Sequence, residues 1–169
     1  RRGVASAVFT FDRPPKEVVT GIPCPLINSP QDRADLMRRL YGIQEVIMVP
    51  FDQEMMTTSW RDYITEILGL GCDIIPKVEL GGITVSSSYI RRLVELGQVE
   101  RAHRYLGHPH TLTSTVRHGR GIGSSRLFPT ANLVIPSHVL VPSHGVYVTR
   151  VTLPDGPAYP AVTNVGTRP

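Results

Sequence analysis

Three groups of residues in this chain have the composition needed to handle phosphate. The first is Val85-Ser86-Ser87-Ser88-Tyr89-Ile90-Arg91-Arg92. Serine hydroxyls at a helix start cap free backbone N–H groups, which is their commoner use. The same geometry also suits an anion, because an uncrowded helix N-terminus offers donors and a partial positive charge. Arg91, about one turn further in, can fork onto that anion. The second group is Phe128-Pro129-Thr130-Ala131-Asn132, preceded by the loop Gly119-Arg120-Gly121-Ile122-Gly123-Ser124-Ser125. A GxGxG loop marks a dinucleotide fold only when a helix follows, and here Pro129 and a strand follow instead. Taken alone the glycines read as a hairpin loop. Pro129 stiffens the backbone, and Thr130 and Asn132 lie on one side of an extended segment. Their oxygens could bind a hard cation such as Mg2+ together with its phosphates. The third group, Val8-Phe9-Thr10-Phe11-Asp12, sits at the C-terminal end of a strand, where parallel sheets bind ligands. A core strand closed by a capping aspartate is its plainer use.

Other reactive side chains are poorer candidates. His103, His108 and His110 read as solvated loop histidines, since no Cys, Asp or Glu completes a ligand set. Cys24 and Cys72 lack CxxC spacing and read as small apolar filler in a reducing, cytoplasmic protein. Of the 18 cations only Lys16 and Lys77 are lysines, and neither is followed by Ser or Thr. The Walker-type phosphate loop is therefore absent, and arginine forks are the available phosphate ligands. A net charge of +4 over 169 residues biases the chain toward anionic partners. No apolar run is long enough to span a bilayer.

The elements that must carry these groups change character along the chain. Ala5 to Phe11 reads as a buried strand ended by Pro14-Pro15. Asp32 to Tyr41 reads as a helix stopped by Gly42, and Val46 to Val49 as a second strand. Ser59 to Asp62 resembles a capping box, with Trp60, Ile64, Ile67 and Leu68 on one helix face. Cys72 to Ile75 reads as a third strand, so a parallel sheet with covered faces is expected. Two helices follow, one opening at Ser86-Ser87-Ser88 and stopping at Gly97, the other spanning Val99 to Leu106. Beyond His108-Pro109 the pattern alternates: Thr111 to Arg117, Leu133 to Ile135, Gly145 to Leu153 and Ala161 to Val165. With fifteen glycines and fifteen prolines in the chain, this reads as an antiparallel meander or barrel.

The order of these motifs resembles a known family. Thr10-Phe11-Asp12 with Pro15, Pro25-Leu26-Ile27, Pro50-Phe51-Asp52, Ser86 to Arg91, Leu106-Gly107, Phe128 to Asn132, Gly145-Val146-Tyr147 and Asn164 to Pro169 follow one another as in bacterial bifunctional riboflavin kinase/FMN adenylyltransferases, or FAD synthetases. The resemblance implies an α/β Rossmann-like nucleotidyltransferase domain over 1–107 and an all-β riboflavin-kinase barrel over 108–169. It implies that ATP and Mg2+ serve phosphorylation of riboflavin to FMN, and that a second ATP adenylylates FMN to give FAD and pyrophosphate. By the same likeness Ser86, Ser87, Ser88 and Arg91 would hold ATP phosphates during adenylyl transfer, with Arg91 catalytic. Thr10, Phe11 and Asp12 would line the flavin and nucleotide pocket. Gly119, Gly123, Pro129, Thr130 and Asn132 would form the kinase ATP site, with Thr130 and Asn132 on the metal and Asn132 catalytic.

Departures from the family pattern are also visible. The first transferase motif is expected before residue 1, and Leu68 to Cys72 is too short for an expected strand and flavin-side loop. The kinase base is expected beyond residue 169, so both domains read as incomplete. Ser124 and Leu127 stand where arginine and glycine are common. Two other readings compete: a non-catalytic flavin- or nucleotide-binding relative, and a basic nucleic-acid module built on Arg38-Arg39, Arg91-Arg92, Arg117 and Arg120. Neither nucleic acid nor a membrane is expected as partner, and the sequence fixes no oligomeric state.

Overall fold

The computed structural model describes residues 5–67, 75–117, 130–154 and 156–166. By its contacts the chain divides into two compact units, each assembled from separate stretches. One comprises 1–78 and 111–139, the other 79–110 and 140–169.

In the first unit, β1 (Ala7–Phe11) and β2 (Glu45–Val49) form a parallel pair, with Val8 opposite Val46 and Phe11 opposite Val49. A parallel pair needs a crossover, here supplied by α1 (Pro15–Thr20) and α2 (Pro30–Tyr41). The Asp32 N–H donates to Ser29 Oγ (3.0 Å), Pro30 takes the first helical position, and Arg38 and Arg39 close the last turn. Helix α2 therefore begins two residues before the expected Asp32. Helix α1, which the sequence reading did not expect, starts on Pro15 itself, because proline is preorganised for a first helical turn. Aromatic rings fill one face of β1: Phe9 meets Tyr63 at 5.1 Å and Phe11 meets Phe51 at 4.8 Å between centroids.

Helix α3 (Gln53–Thr57) is capped by Asp52, and α4 (Trp60–Asp62) runs on into a π-helical turn, Tyr63–Ile67. The π turn departs from the 3.6-residue period on which the expected helix face of Trp60, Ile64, Ile67 and Leu68 rests, and Leu68 lies outside the described residues. Thr65 Oγ1 donates to the Arg61 carbonyl (2.9 Å), competing for a helix acceptor. The strand expected over Cys72–Ile75 lies outside the described residues except for Ile75, which is irregular.

The stretch 111–139 joins the first unit through an isolated parallel bridge between Leu26 and Val139. The Leu26 N–H donates to the His138 carbonyl (2.8 Å), and Asn28 Nδ2 donates to the Thr111 carbonyl (3.1 Å). Among the described residues of this stretch, Val116–Arg117 (β5) and Asn132–Leu133 (β6) form an antiparallel ladder. The longer strand expected from Thr111 is replaced by irregular chain. Its polar groups are met individually, as where Ser114 Oγ donates to the Val134 carbonyl (2.7 Å).

In the second unit, β3 (Glu79–Leu80) and β4 (Ile83–Thr84) form a hairpin that the sequence reading missed. Gly81 and Gly82 both adopt positive φ, as a two-residue hairpin turn requires. Helices α5 (Ser87–Glu95) and α6 (Val99–Leu106) pack together over Leu93, Val94, Ala102 and Leu140. Burying a side chain such as Leu93 contributes about 1.5–3 kcal/mol. The Tyr89 and Tyr105 rings meet edge to face at 4.9 Å. Strands β7 (Gly145–Thr152) and β8 (Ala158–Val165) form an antiparallel ribbon. One face is knitted by Thr149 Oγ1 and Thr163 Oγ1, 2.8 Å apart, while Val148 on the other face is 92% exposed.

Candidate functional site

Asp12 ends β1 and is tied on several sides. Its N–H donates to the Val49 carbonyl (2.9 Å), extending the β1–β2 ladder by one bond. Its Oδ1 accepts from the Phe51 N–H (3.2 Å), and both carboxylate oxygens face the Arg13 guanidinium at 3.3 Å. Burial raises the Asp12 pKa, but the Arg13 side chain and the Phe51 N–H together outweigh it, so the carboxyl lies below its ordinary value. A cavity of about 270 Å3 opens beside it, lined by Asp12, Arg13, Pro14, Glu17, Cys24, Leu26, Pro30 and His138. Glu17 Oε2 accepts from the Cys24 N–H (3.0 Å), which holds the far wall of this cavity. Thr10 and Phe11 alternate across the strand, and the Phe11 ring is engaged by Phe9 and Phe51.

Sequence reasoning missed Arg33. Its Nη2 donates to the Phe11 main-chain carbonyl and lies 3.3 Å from Met48 Sδ. The available signal was its place one helical turn before Met37, on the same face of α2.

In the second unit, Ser86 is the N-cap of α5. The Tyr89 N–H donates to Ser86 Oγ (3.3 Å), and Arg91 Nη1 donates to Ser87 Oγ (3.3 Å). Capping and guanidinium placement thus coexist at one helix start. Ser87 and Ser88 are exposed, and Arg91 is half-buried. A separate cavity of about 390 Å3 is lined by Leu80, Gly81, Arg101, Arg104 and Tyr105, with none of these serines among them.

Of the expected kinase residues, Gly119, Gly123 and Pro129 lie outside the described residues. Thr130 is exposed, and half-buried Asn132 opens β6 directly across from Arg117. Across an antiparallel pair that register puts both side chains on one face of the sheet, so Arg117 accompanies Asn132. No group of three His, Cys, Asp or Glu among the described residues is arranged to hold a metal. Among those residues no helix is long and apolar enough to cross a membrane.

Comparison with known proteins places two family regions along the chain. Residues 1–75 match the FAD synthetase family model, and residues 106–169 match the riboflavin kinase family model. A bifunctional riboflavin kinase/FMN adenylyltransferase of Bacillus subtilis is 28% identical, over 99% of this chain and 64% of its own length. Its counterpart in Pseudomonas fluorescens gives the same identity and coverage. The Escherichia coli protein of that description is 36% identical over 53% of this chain and 28% of its own. The chain therefore spans less than two thirds of the length of these relatives. A solved structure described as a macrolide-efflux protein from Streptococcus pneumoniae superposes with a TM-score of 0.75 at 25% identity. It covers 96% of this chain and 71% of the other. The chain thus carries a region similar to the FAD synthetase family followed by one similar to the riboflavin kinase family. The likeness to bifunctional riboflavin kinase/FMN adenylyltransferases read from its motifs holds along nearly all its length.

Proposed function

We propose that this polypeptide belongs to an enzyme that makes FAD from riboflavin in two phosphorus transfers. ATP first phosphorylates riboflavin to FMN, and FMN then takes AMP from a second ATP, releasing pyrophosphate. The observation that carries this reading is the pair of family regions, FAD synthetase then riboflavin kinase, in one chain. The reading assigns a Rossmann-like transferase domain to 1–107 and a kinase barrel to 108–169, acting in the cytoplasm without nucleic acid or membrane. Both reactions depend on positioning and charge stabilisation more than on covalent catalysis.

For adenylyl transfer, Ser86, Ser87 and Ser88 present hydroxyls and backbone donors at the start of α5 to ATP phosphates. Arg91, oriented by its bond to Ser87, adds a forked positive charge. Thr10, Phe11 and Asp12 border the flavin and nucleotide. For the kinase, Gly119, Gly123 and Pro129 shape the ATP loop, while Thr130 and Asn132 contribute neutral oxygen donors. Such hard donors suit Mg2+, which when bound neutralises charge on the transferring phosphates. Arg117, across from Asn132, adds a cation on the same sheet face.

Incubating the full-length gene product with riboflavin, ATP and Mg2+, and separating the flavins over time, tests this directly. FMN followed by FAD is expected. Formation of neither product would reject the enzymatic reading, and saturable FMN binding without turnover would identify a non-catalytic relative.

A further inference from the structure

Arg33 has an unusual environment for an arginine. It is half-buried, its Nε is fully covered with no hydrogen-bond partner among the described residues, and its Nη2 meets two neutral atoms, the Phe11 carbonyl oxygen and Met48 Sδ. Ion pairs among the described residues join Arg13 to Asp12 and Arg38 to Asp35, and none includes Arg33. Burial pushes its pKa down, against the more distant attraction of Asp12. Holding a cation partly out of water against neutral acceptors is unfavourable, and an apolar side chain filling the same space avoids that loss.

A guanidinium there does one thing an apolar chain cannot. From α2, a single group grips the last residue of β1 through its carbonyl and touches β2 at Met48. The gripped residue, Phe11, immediately precedes Asp12, whose own N–H and Oδ1 are held by Val49 and Phe51. Strand end, helix and following loop are thereby tied at the rim of the cavity that Asp12 lines.

We propose that Arg33 is a positioning residue for the adenylyl-transfer step, fixing the Phe11 main chain so that Asp12 keeps its place at the pocket. The proposal rests on the two-step function above. Its test uses the full-length protein with Arg33→Met and Arg33→Lys, assaying FMN and FAD formation in the same samples alongside thermal unfolding. In Arg33→Met, kcat for FAD formation is expected to fall at least about tenfold. Riboflavin phosphorylation should stay within about twofold and the melting temperature should hold, because methionine replaces a half-buried cation that forms no ion pair among the described residues. Arg33→Lys should recover part of the FAD rate through its single donor. Unchanged FAD formation in Arg33→Met would overturn the role. So would a joint fall of both activities with the melting temperature in either variant, which marks a residue that merely stabilises the fold. If the unmodified protein makes FMN but no FAD, the adenylyl-transfer reading fails at its source and takes this role with it. That outcome is distinct from a variant matching an active parent.

Discussion

A methyl group on Gly97 would lie 2.8 Å from the Tyr147 hydroxyl, and 2.5 Å from Ser143 Oγ. The hydroxyl cannot yield freely, because it donates to the Ser143 carbonyl at 2.6 Å. Gly97 also holds a φ of 70° at the end of α5. Gly97→Ala is therefore expected to lose about 1–2 kcal/mol to the backbone and about 1–3 kcal/mol to crowding. Denaturant unfolding reads the sum. Adding Tyr147→Phe, which deletes one of the two obstructing oxygens, should return part of it; no recovery would assign the loss to the backbone and Ser143 Oγ.

Arg91→Ala in the full-length protein should lower FAD formation by about 10²-fold or more, the scale for removing one preorganised charge-stabilising donor. FMN formation should stay within about twofold. Arg91→Lys should restore only part of the rate, since a point charge does not reproduce a fork. Loss of FMN instead of FAD would reverse the domain assignment.

Asn132→Ala should show the complementary pattern, with riboflavin phosphorylation down by about 10²-fold and preformed FMN still converted to FAD. If Asn132 contributes to metal binding, raising Mg2+ should recover part of the kinase rate. A rate insensitive to Mg2+ would leave Asn132 to the nucleotide alone.

Asp12 gives stability a defined pH dependence. Its folded pKa lies below its ordinary value of 3.8, so the folded state binds fewer protons than the unfolded one. The stabilisation is complete above about pH 5, and is lost as the pH falls through the folded pKa. Asp12→Asn should flatten the acid limb of a melting-temperature profile while leaving its neutral region nearly parallel to the parent. An unchanged acid limb would show that Arg13 and Phe51 do not favour the charged form.

Elements with a signal at both ends were legible from sequence. Helix α5 has Ser86 before it and Gly97 after it, α6 stops at Gly107, and β7 alternates over its length. Shorter elements were hidden because one residue type serves two purposes. Pro15 looked like a breaker and begins α1, while Gly81 and Gly82 looked like linker and form a hairpin turn. The serine–arginine arrangement at α5 was legible because both partners lie within one helical turn. Arg33 was not, since its role depends on a carbonyl 22 residues away, brought near only by the crossover. Thr111, expected to start a strand, likewise has its carbonyl taken by Asn28, a tertiary partner that no local pattern announces.

The bridge between Leu26 and Val139 bears on how this gene can be dissected. Severing the polypeptide near residue 108, close to where the riboflavin kinase region begins, would strip Leu26 of its neighbour and wet a side chain now only 8% exposed. Each fragment would forfeit stretches that its own compact unit draws from across the cut. Activities assayed on such halves would report the injury as much as the chemistry, so kinetic work belongs with the uncut molecule.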